Sequence, residues 1–380
     1  MKSSIYLDYA AATPLDPAVR MAMQPFYDDL FYNPSATYLA ARDVSSKLAA
    51  ARAQIAHWLG ARPSEIIFTA GGTEANNLAI QGIMRQFSGA NVVVSSIEHE
   101  SVLRPAKNYD CTEASVLADG TIDLVKLQSA INDQTVLVSI MYANNEIGTI
   151  QPVGEVARLL KVVREQRRRS GNKLPLYLHT DACQAANYLD LQTARLGVDL
   201  MTLNGGKIYG PKQSGVLFVA GHVTLQPLIL GGGQERAIRS GTENVAQSVG
   251  LATALDMVQQ SRHEELKRLQ QLQHQFMILL TEKIPASVIN GSRKKRLPNN
   301  VHVTIAGTDN ERLLMQLDEV GIMAAAGSAC SASDEEPSHV LKALRLSDEQ
   351  AQASLRFTLG QQTTLQDIER TVEVLQRFTA

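Results

Sequence analysis

At 380 residues the chain is long enough for two domains and a sizeable buried core. Hydrophobic residues make up 44% and charged residues 19%, an ordinary globular balance, and the formal net charge of −2 argues against a nucleic-acid partner, which would call for a clear basic excess. No apolar run approaches the length of a membrane span, and "MKSSIYLDYAAATPLDP" has no signal-peptide core, so no membrane partner and a cytoplasmic location are expected.

Three cysteines (Cys111, Cys183, Cys330) are too few and too scattered for a disulfide framework, and they lack zinc-ligand spacing, so no metal is expected. In chain order, "DVSSKLAAARAQIAHWLG" (43–60) reads as a helix ended by Gly60. "EIIFTA" reads as a strand, followed at once by "GGTEANNLAIQGIMRQF", a glycine turn opening a helix. Apolar strand candidates recur at "NVVVSSI", "TVLVSIMYA", "LPLYLHTDA", "DLMTLNG" and "GVLFVA", separated by helical stretches. That alternation predicts an α/β unit with a mostly parallel sheet covered on both faces, spanning residues 15–256.

A smaller α+β unit is expected from residues 1–14 and 257–380. It holds a long helix, "RHEELKRLQQLQHQFMILLTEKI", a strand in "NNVHVTI", a helix in "NERLLMQLDEVG" and a strand in "ASLRFTLG". Its last helix opens with Thr364 and Asp367 in capping-box-like spacing and puts Leu365, Ile368, Val372 and Leu375 on one face. Two basic clusters, "REQRRRSG" and "SRKKRLP", read as a solvated helix end and a loop, with a docking patch for an acidic partner as the sharper alternative.

The chemically special residues fall where strands end, which is where open α/β sheets bind ligands. Gly71, Gly72 and Thr73 lie between a strand and a helix N-terminus, a phosphate cradle in which free N–H groups and the helix dipole act together. His99, then Asn144 and Asn145, then Asp181 and Gln184 follow three further strands. A carboxylate such as Asp181 at the end of an apolar strand needs a partner, and a protonated pyridine nitrogen is one. Lys207 stands alone in the glycine-rich "NGGKIYGPK". A glycine turn or a lone histidine is most often structural, but these groups in this order describe pyridoxal phosphate: Lys207 carries it, Asp181 holds its ring nitrogen, the glycine turn its phosphate, and His99 stacks on the ring.

Nearly the whole chain resembles the NifS/IscS-type cysteine desulfurases, fold-type I pyridoxal-phosphate enzymes. The resemblance rests on "YLDYAAATPLDP", "YNPSAT", "FTAGGTEANNLAI", "EHESVL", "NNEIGTIQP", "TDACQ", "GGKIYGPK", "GGGQERAIRSGTENV", "GSACSAS" and "LRFTLG" in that order. It implies a large domain with a mostly parallel seven-stranded sheet and a smaller α+β domain. It also implies that Lys207 is the cofactor lysine, that His99 assists proton transfer, and that Asp181 is the ring-nitrogen partner. Gln184 and Asn144 lie near the phenolic oxygen, Asn144 also near the substrate, and Thr73 with the Gly72 backbone holds the phosphate. Thr242 reaches the phosphate from the other subunit of a homodimer, and Arg356 binds the carboxylate of L-cysteine. Cys330 is the nucleophile, on a loop of about 326–337 whose small and polar residues suit a mobile segment. It becomes a persulfide that passes sulfur to an acceptor protein or thiol, as in iron–sulfur cluster biogenesis.

Two positions depart from the family pattern. The family usually has Ser-Gly-His-Lys where this chain has Asn204-Gly205-Gly206-Lys207, which leaves Asn204 as an amide donor and only the backbone N–H of Gly206 for the phosphate. Tyr38 stands where the family often has histidine. Cys183 reads as packing. Three readings follow: a cysteine desulfurase, another fold-type I enzyme such as a selenocysteine lyase or aminotransferase with Cys330 incidental, and a scaffold that has lost the cofactor. Lys207 and Asp181 weigh against the third, and Cys330 separates the first from the second.

Overall fold

The computed structural model describes residues 4–327 and 337–379. In chain order its strands are β1 (Ile5–Tyr6), β2 (Ile66–Thr69), β3 (Asn91–Ser95), β4 (Asp110–Ala114), β5 (Thr135–Ser139) and β6 (Tyr177–Asp181). They continue as β7 (Leu200–Asn204), β8 (Gly215–Val219), β9 (Ser287–Ile289), β10 (Asn300–Ile305), β11 (Ile322–Met323) and β12 (Ser354–Thr358).

A seven-stranded sheet runs in the order β2-β8-β7-β6-β5-β3-β4, and β8 is its one reversed strand. Its inner strands β3, β5 and β8 are buried along their whole length, which explains their unbroken apolar runs. Successive side chains enter opposite cores: Ile66 and Phe68 join one apolar cluster and Ile67 the other, as do Val216 and Phe218 against Leu217 and Val219.

The Leu39–Leu59 helix ends on Gly60 in the left-handed conformation (φ 63), as the glycine predicts. The seventh strand, β4, was not legible as an apolar run. "DCTEA" is a polar edge strand, so Cys111 sits in the sheet opposite Val92 rather than between strands.

A second layer holds the antiparallel sheet β12-β10-β9 and the parallel pair β1-β11. The helices Arg262–Lys283, Asn310–Glu319 and Leu365–Thr379 share a core with these strands through Leu269, Phe276, Leu317, Val372 and Leu375. Thr364 and Asp367 cap the last helix reciprocally, but Leu365 is 44% exposed and lies off the buried face. The Val245–Gln260 helix runs past residue 256.

The N-terminal segment bridges the two layers. Leu7 belongs to the second core and Tyr9 to the first. Leu7 N–H bonds the Met323 carbonyl, while Thr13 N–H bonds the Gly206 carbonyl. Of the basic clusters, the first is largely structural. Arg164 pairs with Asp199 at 2.5 Å, Arg168 and Arg169 pair with Glu165, and Arg167 is buried against backbone carbonyls. In the second, Arg296 is buried while Arg293, Lys294 and Lys295 are exposed.

Candidate active site

The carboxyl ends of β2, β3, β5, β6 and β7 surround one cavity of about 670 Å³, counting its open mouth. After β2 the chain turns through Gly71 (φ 138) into the Gly72–Met84 helix, whose first N–H groups receive no side-chain cap. A Cβ on Gly72 would lie 2.8 Å from Cys183 Sγ and 3.4 Å from Asn204 Nδ2, so only glycine permits this approach. Asn204 ends β7. Its Oδ1 accepts the Gly206 N–H at 3.0 Å, which leaves its NH2 as the free end of the amide beside the helix start. The Gly206 N–H is therefore not the group that reaches a phosphate; it orients Asn204, which lines the cavity with Gly72 and Thr73.

Backbone space remains at Gly206: a Cβ would meet Asn204 Oδ1 at 3.5 Å and Lys212 Cγ at 3.6 Å, ordinary contacts, with no left-handed φ. Gly206→His should thus fold normally and add a hydrogen bond to a charged group, about 1.5–3 kcal/mol. Cofactor loss on dialysis is expected to slow by about tenfold or more. Unchanged loss would mean that Asn204 already completes the grip.

Asp181 ends β6 at 6% exposure, fixed by the Cys183 N–H at 2.9 Å on Oδ1 and by Asn76 Nδ2 at 2.7 Å on Oδ2. Lys207 follows the turn after β7, and its Nζ donates to the Ala10 and Ala11 carbonyls at 2.7 Å each. Gln184 Nε2 shares the Ala10 carbonyl at 3.0 Å, so the N-terminal segment forms one wall of the site. Cys183 lines the same cavity. Burial, with the nearby Asp181 charge, pushes its thiol well above the usual range, which disfavours the thiolate a nucleophile needs.

His99 follows β3 and caps the Glu100–Ala106 helix with its own ring, Nδ1 accepting the Ser101 N–H at 3.1 Å. Burial lowers its pKa. The Asp181 charge opposes that shift and Lys207 adds to it. Beside it, Glu98 is fully buried; its Oε1 accepts the Met141 N–H at 2.6 Å, and burial raises its pKa well above the carboxylate range. It ties the end of β3 to that of β5.

Of the two asparagines after β5, Asn145 and not Asn144 lines the cavity. Asn144 is fully buried and its side chain builds the turn, Oδ1 accepting from Glu146 and Ile147 N–H and Nδ2 donating to the Ile97 carbonyl. Asn145 faces the cavity, and its carbonyl accepts from Arg356 Nη1 at 3.1 Å. Arg356, on β12, is 2% exposed and lines the cavity, with Nη2 on Asp8 Oδ1 at 2.6 Å. Asp8 and Asn76 carried no signal of their own. Asp8 lies in a quoted motif, and its role appears only when the N-terminal segment crosses β12.

Thr242 is exposed and lines a separate hollow with Gln213 and Arg239. Tyr38 stands edge-on to Tyr32 at 5.9 Å, away from the cavity. Cys330 lies outside the described residues, but both its described flanks meet Glu146, which accepts from the Ser338 hydroxyl at 2.6 Å and lies beside Gly327. No group of three metal-type ligands occurs among the described residues.

This lining fits pyridoxal phosphate. Helix N–H groups, Thr73 and the Asn204 amide suit a phosphate, Asp181 suits a protonated ring nitrogen, and Lys207 supplies an amine. Asn76 Oδ1, buried without a partner in the wall, lacks a donor. Fold and site thus define a pyridoxal-phosphate enzyme of fold-type I. Residues 5–371 match the aminotransferase class-V family model, and the chain belongs to that family.

Among relatives, the chain is 40% identical to "Cysteine desulfurase IscS" of Dictyoglomus turgidum, covering 100% of this chain and 95% of that protein. It is 39% identical to "Cysteine desulfurase IscS 1" of Archaeoglobus fulgidus, covering 97% and 95%. Among solved structures, a NifS-like protein from Rickettsia africae superposes with a TM-score of 0.87 at 31% identity over 99% of both chains. SspA in complex with cysteine superposes at 0.78 and 32% identity, over 94% of this chain and 99% of that one.

Proposed function

We propose that the protein is a cysteine desulfurase that takes sulfur from L-cysteine, releases L-alanine and leaves a persulfide on Cys330. The observation that carries this reading is the placement of Arg356: a buried guanidinium lining the same cavity as Lys207, Asp181 and His99. A planar fork there suits an amino acid's carboxylate, and the relatives' names supply the substrate.

Bound in the cavity, pyridoxal phosphate supplies an electron sink that makes the substrate's α-proton removable and its C–S bond labile. Gly72, Thr73 and Asn204 would hold its phosphate and Asp181 its ring nitrogen. Arg356 orients the carboxylate, Lys207 Nζ takes and returns the α-proton, and His99 stands by as a second proton carrier. The Cys330 thiolate attacks the substrate sulfur. The S–S bond forms as the C–S bond breaks, and alanine takes up the proton. Electrons balance within cysteine and the thiol, so no external oxidant enters.

Thr242 lies off its own chain's cavity, which supports a homodimer in which each copy completes the other's phosphate site. A protein or small thiol accepts the sulfur. Cys111 and Cys183 are free thiols, in keeping with a reducing compartment such as the cytoplasm, and no helix among the described residues is long and apolar enough to cross a membrane.

Arg356→Lys keeps the charge but loses the fork. KM for cysteine should rise by about 10- to 100-fold, from about 1.5–3 kcal/mol of lost charged hydrogen bonding, with a smaller change in kcat. Assaying alanine release across cysteine concentrations tests it; an unchanged KM would place the carboxylate elsewhere.

A further inference from the structure

Asn76 and Ser101 have no part in the reaction as set out above, yet both line the cavity and both are nearly fully buried. Their hydrogen bonds form a chain whose direction can be worked out atom by atom. Asp181 Oδ2 is a carboxylate acceptor, so the Asn76 atom 2.7 Å away is the amide nitrogen. The second proton of that nitrogen points at Ser101 Oγ, 2.8 Å away. Ser101 Oγ thus accepts from Asn76, and its own proton is free for the next neighbour, His99 Nδ1 at 2.8 Å. The Ser101 backbone N–H, a donor by nature, reaches the same nitrogen at 3.1 Å. With two donors on it, Nδ1 is the unprotonated nitrogen, and the ring proton sits on Nε2.

We propose that Ser101 and Asn76 are positioning residues, a directed relay that holds His99 as the neutral Nε2–H tautomer and couples it to the Asp181 carboxylate. His99 then offers a proton donor, not a base, as its second nitrogen. To protonate Nδ1, both Ser101 donors would have to turn away, which works in the same direction as the burial that already lowers the ring's pKa. The charges that face His99 are Asp181 from β6, Lys207 from the turn after β7, Glu100 from its own helix and Glu146 from the turn after β5. The Ser101 hydroxyl and backbone N–H both reach Nδ1, and together they favour the Nε2–H tautomer. In the reaction this makes His99 a proton donor and leaves proton removal to Lys207, a division that rests on the desulfurase reading.

The test is 15N NMR of ring-labelled histidine in the holoenzyme, with His99 assigned by its loss in His99→Gln. Wild type should show a protonated Nε2 and an unprotonated Nδ1 across neutral pH. Ser101→Ala removes the hydroxyl donor and should raise the His99 titration midpoint by about one pH unit. Ser101→Thr keeps the hydroxyl and should restore it. Asn76→Leu breaks the link to Asp181 and should move the midpoint in the same direction by less. An Nδ1–H signal in wild type, or equal midpoints in wild type and Ser101→Ala, would overturn the proposal. If Ser101→Ala does not fold, the wild-type tautomer alone decides. These signals are independent of turnover: desulfurase activity with the wrong tautomer sinks the relay alone, and the right tautomer without alanine release sinks the functional reading alone.

Discussion

Lys207→Ala is expected to leave a folded protein that binds pyridoxal phosphate without bonding to it and turns over almost no cysteine. Two roles are lost together. The cofactor loses its covalent tether, so borohydride treatment should no longer fix it to the chain, and the amine that moves the α-proton is gone. Loss of a positioned acid–base group alone slows a reaction by about 10²–10⁴-fold. Folding should survive, because the Ala10 and Ala11 carbonyls that accept from the amine can be hydrated in the opened cavity. Neighbouring Lys212 tests specificity: Lys212→Ala should keep the borohydride adduct. If reduction fixed the cofactor to Lys207→Ala at another lysine, the assignment would fail.

What the sequence reveals and what it hides divide along a physical line. Lys207, Asp181, Gln184 and Gly72 were legible because each is a chemically distinctive residue placed just past an apolar strand, and strand ends are where an α/β sheet exposes function. That Asn145 rather than Asn144 lines the cavity was not legible. Adjacent identical residues differ only in backbone direction, and here the first is consumed by capping its own turn. Nor was the N-terminal wall, since Ala10 and Ala11 act through carbonyls, which every residue has. Strand β4 gives no apolar signal, because an edge strand with one paired side needs no apolar run. Leu365 was placed on the buried face by periodicity, but it stands at the helix's first position, where the chain is still entering the core.

The same division explains why the Asn204-Gly205-Gly206 departure does not remove the cofactor site. Losing the family's histidine at Gly206 looks severe from composition alone. In the structure the glycine N–H turns the Asn204 amide so that its NH2 is left beside the helix start, so a side-chain donor remains there. The charge of an imidazolium is not replaced, which is why Gly206→His is expected to tighten binding rather than leave it unchanged.

The central claim is that sulfur leaves L-cysteine for Cys330, and the second large effect follows from it. Cys330→Ser should still bind cysteine and show the cofactor's spectral change, because Lys207, Asp181 and Arg356 remain, but a hydroxyl is not ionised at neutral pH and cannot take the sulfur. Alanine release should fall to background. Cys183 and Cys111 are poor substitutes: burial and the Asp181 charge push the Cys183 thiol well above its usual range, and Cys111 sits on edge strand β4 with its thiol pushed up to about 11 by burial. The most direct measurement is therefore mass spectrometry of peptides from the holoenzyme after a single turnover with L-cysteine. One extra sulfur on the Cys330 peptide of wild type, and none anywhere in Cys330→Ser, is the predicted result; extra sulfur on the Cys111 or Cys183 peptide, or full alanine release by Cys330→Ser, would contradict the account.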